Sequence, residues 1–188
     1  MKKSFLVTVL AGLLIGSGLA SAAVYKVDPA HTSVGFNVKH MMISTVSGKF
    51  SDFNGTYDLN KGMFKSLSGH IKTASVDTGI SKRDDHLRSA DFFDAANYPE
   101  ITFTMTSATK TKMTGNLTIR GVTKKEVLNI EMGGVITDPW GNQRSGFTLT
   151  GKVNRKDFGL NWNKAIEAGG FVVGDDVKLI IEVEGIEE

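Results

Sequence analysis

The sequence predicts an all-β protein with a single short helix. Three observations carry that reading. Segments that alternate apolar and polar residues recur at roughly 10-residue spacing, about eight to ten of them in all. The chain holds 21 glycines and only 3 prolines, which suits bends and turns in a strongly coiled sheet. Helix grammar appears in one place only, the stretch from Ser75 to Phe103. An antiparallel sheet of this size stacks as a sandwich or curls shut as a barrel. Closure removes the edges that invite aggregation, and a barrel of about eight strands can enclose one small ligand.

Residues 1–22 read as a secretory signal peptide. Lys2 and Lys3 give a basic start, and Phe5 to Ile15 is an apolar run broken by Thr8 and Gly12. Ala20-Ser21-Ala22 is an A-x-A cleavage pattern. The apolar run falls short of the ~20 residues a membrane span needs, so stable membrane insertion is not expected. The folded domain is then residues 23–188, in the periplasm or outside a bacterial cell. There is no cysteine, so neither a disulfide nor a lipidated cysteine is available, and stability must come from burial and sheet hydrogen bonds. The formal net charge of +2 leaves with Lys2 and Lys3. A neutral remainder argues against nucleic acid or an anionic membrane surface as partner.

The strands follow in order. Val34, Phe36 and Val38 alternate with Ser33, Gly35 and Asn37. Phe53 to Leu59 is the next, and Asn60-Lys61-Gly62 supplies a turn. Leu67, Gly69, Ile71 and Thr73 alternate with Ser68, His70 and Lys72, which leaves His70 on a solvated face. After the helical stretch come Ile101 to Ala108 and Met113 to Ile119, then the hairpin signal Arg120-Gly121. Val122 to Met132 places Leu128, Ile130 and Met132 opposite Val127, Asn129 and Glu131. Asp138-Pro139-Trp140-Gly141-Asn142 is a loop, Gly146 to Asn154 a strand, and the alternation from Val177 to Glu184 closes the chain.

Within the helical stretch Ser81 is placed as N-cap, with Asp84 three residues on in capping-box spacing. Arg83, Asp84, Asp85, His86 and Arg88 crowd ionisable groups together. Phe92 and Phe93 follow, flanked by Asp91 and Asp94, and Tyr98-Pro99 is expected to end the helix. A polar helix with an aromatic pair between strands fits a lid on a barrel mouth, and equally a plain surface crossover.

The ionisable residues point away from catalysis. The four histidines, His31, His40, His70 and His86, have no i, i+4 zinc spacing. A metal site would need His31, His40 and His86 to meet in space. Asp85-His86 is an unpromising acid/base dyad, because neighbours in a helix diverge and no nucleophile motif accompanies them. There is no P-loop, dinucleotide fingerprint or EF-hand loop. The 11 phenylalanines say more. Most belong to a core, but some can line an apolar cavity with a few polar groups at its mouth. Arg83, Arg155 and His86 are the candidate partners of a polar head group, while salt bridges to Asp84 or Asp157 are the plainer use of the arginines.

Four blocks then carry a resemblance. VDPAHTSVGFNVKHMMISTVSGKFSDFNGTYDL, the segment from SVDTG to RDDHLRSADFFDAANYPEITF, GNLTIRGVTKKEV and RKDFGL together resemble the YceI-like family of secreted bacterial proteins, in order and over essentially the whole domain. The resemblance implies an extended, lipocalin-like antiparallel barrel of about eight strands with a helix beside its opening. It implies a binding protein rather than an enzyme, holding a long isoprenoid or quinone-type lipid without a cofactor, and often dimeric. By position it implicates Arg83, His86, Phe92 and Phe93 of the helix block, Phe36 and His40 of the first long strand, and Phe158 beyond Arg155. The alternatives are an enzyme acting on such a lipid with His86 or His40 as acid/base, and a solid-cored barrel that works through its surface.

Overall fold

The structure, a computed structural model, describes residues 23–166 and 169–188; the leader expected at 1–22 lies outside them. Eleven strands form one antiparallel sheet. They are β1 (Ala23–Val27), β2 (Ser33–His40), β3 (Ser44–Phe50), β4 (Phe53–Asn60), β5 (Met63–Lys72), β6 (Val76–Asp77), β7 (Glu100–Ala108), β8 (Lys112–Ile119), β9 (Val122–Thr137), β10 (Gln143–Asn154) and β11 (Val173–Glu187). Among the described residues a single α-helix, α1 (Ser81–Arg88), stands between β6 and β7.

The sheet closes as a barrel. Pairing runs β1-β4-β5-β7-β8-β9-β10-β11, and β11 returns to β1 through Tyr25↔Glu187 and Val27↔Gly185. Eight staves result, three of them broken. β2 continues β1 along the same edge of β11, β3 pairs with β2 as β4 does with β1, and β6 pairs with β3 beyond the end of β5. The alternation alone misses β1, β3 and β6. β6 is two residues long, and β3 (STVSGKF) carries a glycine where the pattern asks for an apolar residue. Two hairpins turn on Lys61-Gly62 and Arg120-Gly121. All four residues have positive φ, 49° to 73°, which matches the right-handed twist of the strands they join.

The interior divides in two. At the β1 end, Tyr25, Tyr57, Phe64, Met113, Ile130 and Phe147 pack into a solid floor. Tyr57 stacks on Tyr25 with ring centroids 5.3 Å apart and meets Phe147 edge-on at 5.0 Å. Its hydroxyl lies 2.6 Å from Ser145 Oγ, and burial pushes the phenol up to about 12. At the β2 end a second cluster, including Phe50, Phe92, Leu117, Val153 and Phe158, surrounds a cavity.

An ion network staples the chain ends at the floor. Arg144 reaches Asp138 Oδ2 at 2.8 Å, Asp28 Oδ2 at 3.0 Å and Glu184 Oε1 at 2.7 Å. Arg144 and the amides around Asn142 hold the Asp138 carboxyl well below its ordinary value. His31 first, then Arg144, lowers the Asp28 carboxyl, with burial opposing. A carboxyl depressed in the fold stabilises it above the unfolded pKa of about 4, and that contribution disappears as pH falls further. The thermal midpoint is therefore expected to hold from pH 7 to about 5 and to drop below about pH 4. Asp138→Asn should lower the midpoint at pH 7 and flatten the acid slope. Scanning calorimetry from pH 7 to 3 checks this, and equal slopes in both proteins would refute it.

Candidate functional site

The β2 end holds an apolar cavity of about 170 Å³. Its walls combine Phe36 of β2, Val153 of β10, Val177 and Leu179 of β11, and Leu117 of β8, with Phe50 at the β3 bend. Its floor is Leu128, which belongs to the solid half. Two wall rings need glycine opposite them. A Cβ at Gly48 would run into the Phe36 ring, and one at Gly115 into the Phe103 ring.

The segment after β6 supplies one side of the cavity. Leu87, Phe92 and Phe93 all face it. The helix is shorter than expected and starts differently. Ile80 is its N-cap through backbone bonds alone, and Ser81 makes no cap. Asp84 instead turns back, accepting from Thr78 N at 2.9 Å and Thr78 Oγ1 at 2.5 Å. The helix ends at Arg88 rather than Tyr98, and turns run from Ser89 to Asn97. Asp94 adopts φ 52° there, outside the helical region, and its carboxylate accepts from Asn97. Phe92 and Phe93 thus sit in a turn, which lets adjacent residues face the same hollow.

Arginines and one histidine bolt this segment down. Arg88 donates to Ala74 O and Val76 O at 2.7 and 3.0 Å. Arg120 bridges Gly159 O at 2.6 Å and Ala90 O at 2.9 Å. Arg120 reads in the sequence only as a turn marker, since nothing local reveals a clamp between segments 30 and 39 residues away. His86 lies 2.9 Å from Asp91 Oδ2 and wedges its ring edge-on between Phe92 and Trp162, at 5.0 and 4.9 Å.

The expected site residues therefore divide. Phe36, Phe92, Phe93, Arg155 and Phe158 line the cavity; His40, Arg83 and His86 do not. Arg83 turns onto Thr78, donating to its Oγ1 at 2.7 Å and its carbonyl at 2.8 Å, and makes no pair with Asp84. His40 closes β2, paired with Ser44 and Val173. Arg155, 4% exposed, contributes wall rather than charge. Its Nε donates to Gly174 O, Nη1 to Leu160 O and Trp162 O, and Nη2 to Val173 O and Asp175 Oδ1. All five N–H groups are engaged, and the ion pair is with Asp175, not Asp157. Burial pulls this guanidinium down and Asp175 opposes that.

The other expectations about ionisable groups resolve similarly. Asp85 pairs with Arg88 at 2.9 Å, so it forms no dyad with His86. Among the described residues, the group suited to a metal is Asp28, His31 and Glu184, without His40 or His86. Arg144 already lies between its carboxylates, so a cation there would have to displace a guanidinium.

Both the chain and its fold match known proteins. The model of the YceI-like domain fits residues 25–185. Over its full length the chain is 40% identical to Protein YceI of Salmonella newport, across all of both chains.

The chain belongs to the YceI-like family.

Its structure superposes on the Campylobacter jejuni YceI protein with a TM-score of 0.69 at 43% identity, covering 86% of this chain and 96% of that one. A polyisoprenoid-binding domain from Saccharophagus degradans aligns with a TM-score of 0.61 over 89% of this chain and all of that one. At 15% identity that likeness is one of fold. The YceI-like barrel is the eight-stave closed sheet described above. No helix among the described residues is long and apolar enough to cross a membrane.

Proposed function

We propose that this YceI-like protein binds the hydrocarbon chain of an isoprenoid lipid in its upper cavity and carries or stores it in the periplasm, once the leader is removed. The observation that supports this most is the hollow itself: about 170 Å³ of space whose walls are apolar almost throughout. At ~30 Å³ per water-sized group it accommodates roughly six methylene-sized groups, about one isoprene unit at the end of a chain. Burying those carbons is worth about 0.8 kcal/mol each, a gross ~5 kcal/mol, against several kcal/mol of association and ordering cost. That offsets the cost of seating one chain end without a cofactor or any catalytic group. The fold shared with a domain described as polyisoprenoid-binding points the same way.

The test is direct. Protein purified from its bacterial periplasm is extracted with organic solvent and the extract analysed by mass spectrometry, with binding of a fluorescent prenyl probe measured in parallel. A co-purified prenyl lipid and saturable probe binding are expected. An empty extract together with no probe binding would remove the carrier reading.

A further inference from the structure

We infer that Glu126 receives the polar end of the ligand, and that this end is a neutral hydroxyl rather than a phosphate. The inference rests on the carrier reading and adds the head-group class.

Glu126 sits where the barrel wall parts. β9 pairs with β10 only from Asn129 to Thr137, against Thr150 down to Gln143. Above that point, residues 122–128 of β9 pair with β8 alone, and residues 151–154 of β10 with β11 alone. The two strands diverge, and the turn Arg155–Phe158 packs against β9 beside the gap. Glu126 shares the inward parity of Leu128 and Ile130, stands opposite Gly115, and lines the cavity beside the gap.

Among the described residues its carboxylate takes part in no hydrogen bond or ion pair. Every other polar side chain of the cavity wall is accounted for. The Arg155 donors all go to carbonyls and Asp175. Thr102 alternates with the core-packed Ile101 and Phe103 and so points outward. One side chain that accepts hydrogen bonds therefore borders an apolar hollow, without a donor.

The charges nearby select the head group. Burial, and next Asp157, raise the Glu126 carboxyl from its ordinary value, with Lys124 opposing. A phosphate would meet two carboxylates, opposed by the exposed Lys124, and find no free guanidinium. A hydroxyl supplies the missing donor and brings no charge into an apolar wall, where an unpaired charge is costly. A charge-assisted hydrogen bond of this kind is worth roughly tenfold or more in affinity.

Titration calorimetry of the full mature chain, extracted free of lipid, tests this with three probes of one length: farnesol, farnesyl phosphate and the head-group-free farnesene. Farnesol is expected to bind about tenfold tighter than either of the others. Glu126→Ala should bring farnesol down to the level of farnesene, leaving farnesene itself unchanged. Glu126→Gln should narrow the gap between farnesol and the phosphate. Equal or tighter binding of the phosphate by the unaltered protein would overturn the inference. So would farnesol binding that ignores Glu126→Ala. If none of the three probes binds, the carrier reading itself fails and this one falls with it; if farnesene alone binds as well as farnesol, the carrier stands and the head-group assignment is lost.

Discussion

Replacing Arg155 with methionine is expected to destabilise the fold by about 2–4 kcal/mol. The guanidinium is buried, and it ties four carbonyls of residues 160–174 and the Asp175 carboxylate to the end of β10. Methionine keeps much of the volume and loses every donor, so the buried Leu160 carbonyl and the half-buried Trp162 and Gly174 carbonyls lose the guanidinium, while Val173 O keeps Asn163 Nδ2. The loss approaches the lower end of total domain stability, about 5–15 kcal/mol. Urea unfolding measures it, and amide hydrogen exchange should show residues 159–175 opening first. A loss under 1 kcal/mol would mean that water replaces the guanidinium freely.

Filling the hollow should separate folding from binding. Val177→Trp puts an indole into the cavity from a half-buried strand position that faces Val153 and Val38 across the pairings. Displacing one isoprene unit forfeits up to about 4 kcal/mol, on the order of a thousandfold in Kd. Stability should change little, because the ring enters existing space. The matching change in the floor, Leu149→Trp, has no such space and should cost at least 1–3 kcal/mol by overpacking. Thermal melts and prenyl-probe titration of both variants provide the contrast. Similar destabilisation in the two would show that the upper half is as full as the lower.

Much of the architecture could be read from residue order. Period-2 alternation locates most of the staves, because a strand with one face buried must alternate. The turns at Lys61-Gly62 and Arg120-Gly121 are legible because glycine tolerates positive φ. Five of the eight expected site residues, four phenylalanines and Arg155, line the hollow. The charged residues are less legible. Arg83 and His86 are expected at a mouth from their company in sequence, yet each is engaged by a neighbour a few residues away. Such choices depend on backbone carbonyls and turns that composition does not show. The end of α1 is not legible because Ser89, whose extended backbone stops the helix, carries no sequence mark of that conformation. Glu126 could have been found: it shares parity with Leu128 and Ile130, and an acid on the apolar face of a strand is a signal in its own right.

The solid floor has one more implication. Tyr57, Phe64 and Phe147 interlock across the barrel at the β1 end, with ring centroids 4.8 to 6.0 Å apart. A vessel stoppered at its base is no conduit. Under the proposed carrier role, a tail that enters the upper half must leave from that same half, so one arrival could not push its predecessor out through the base.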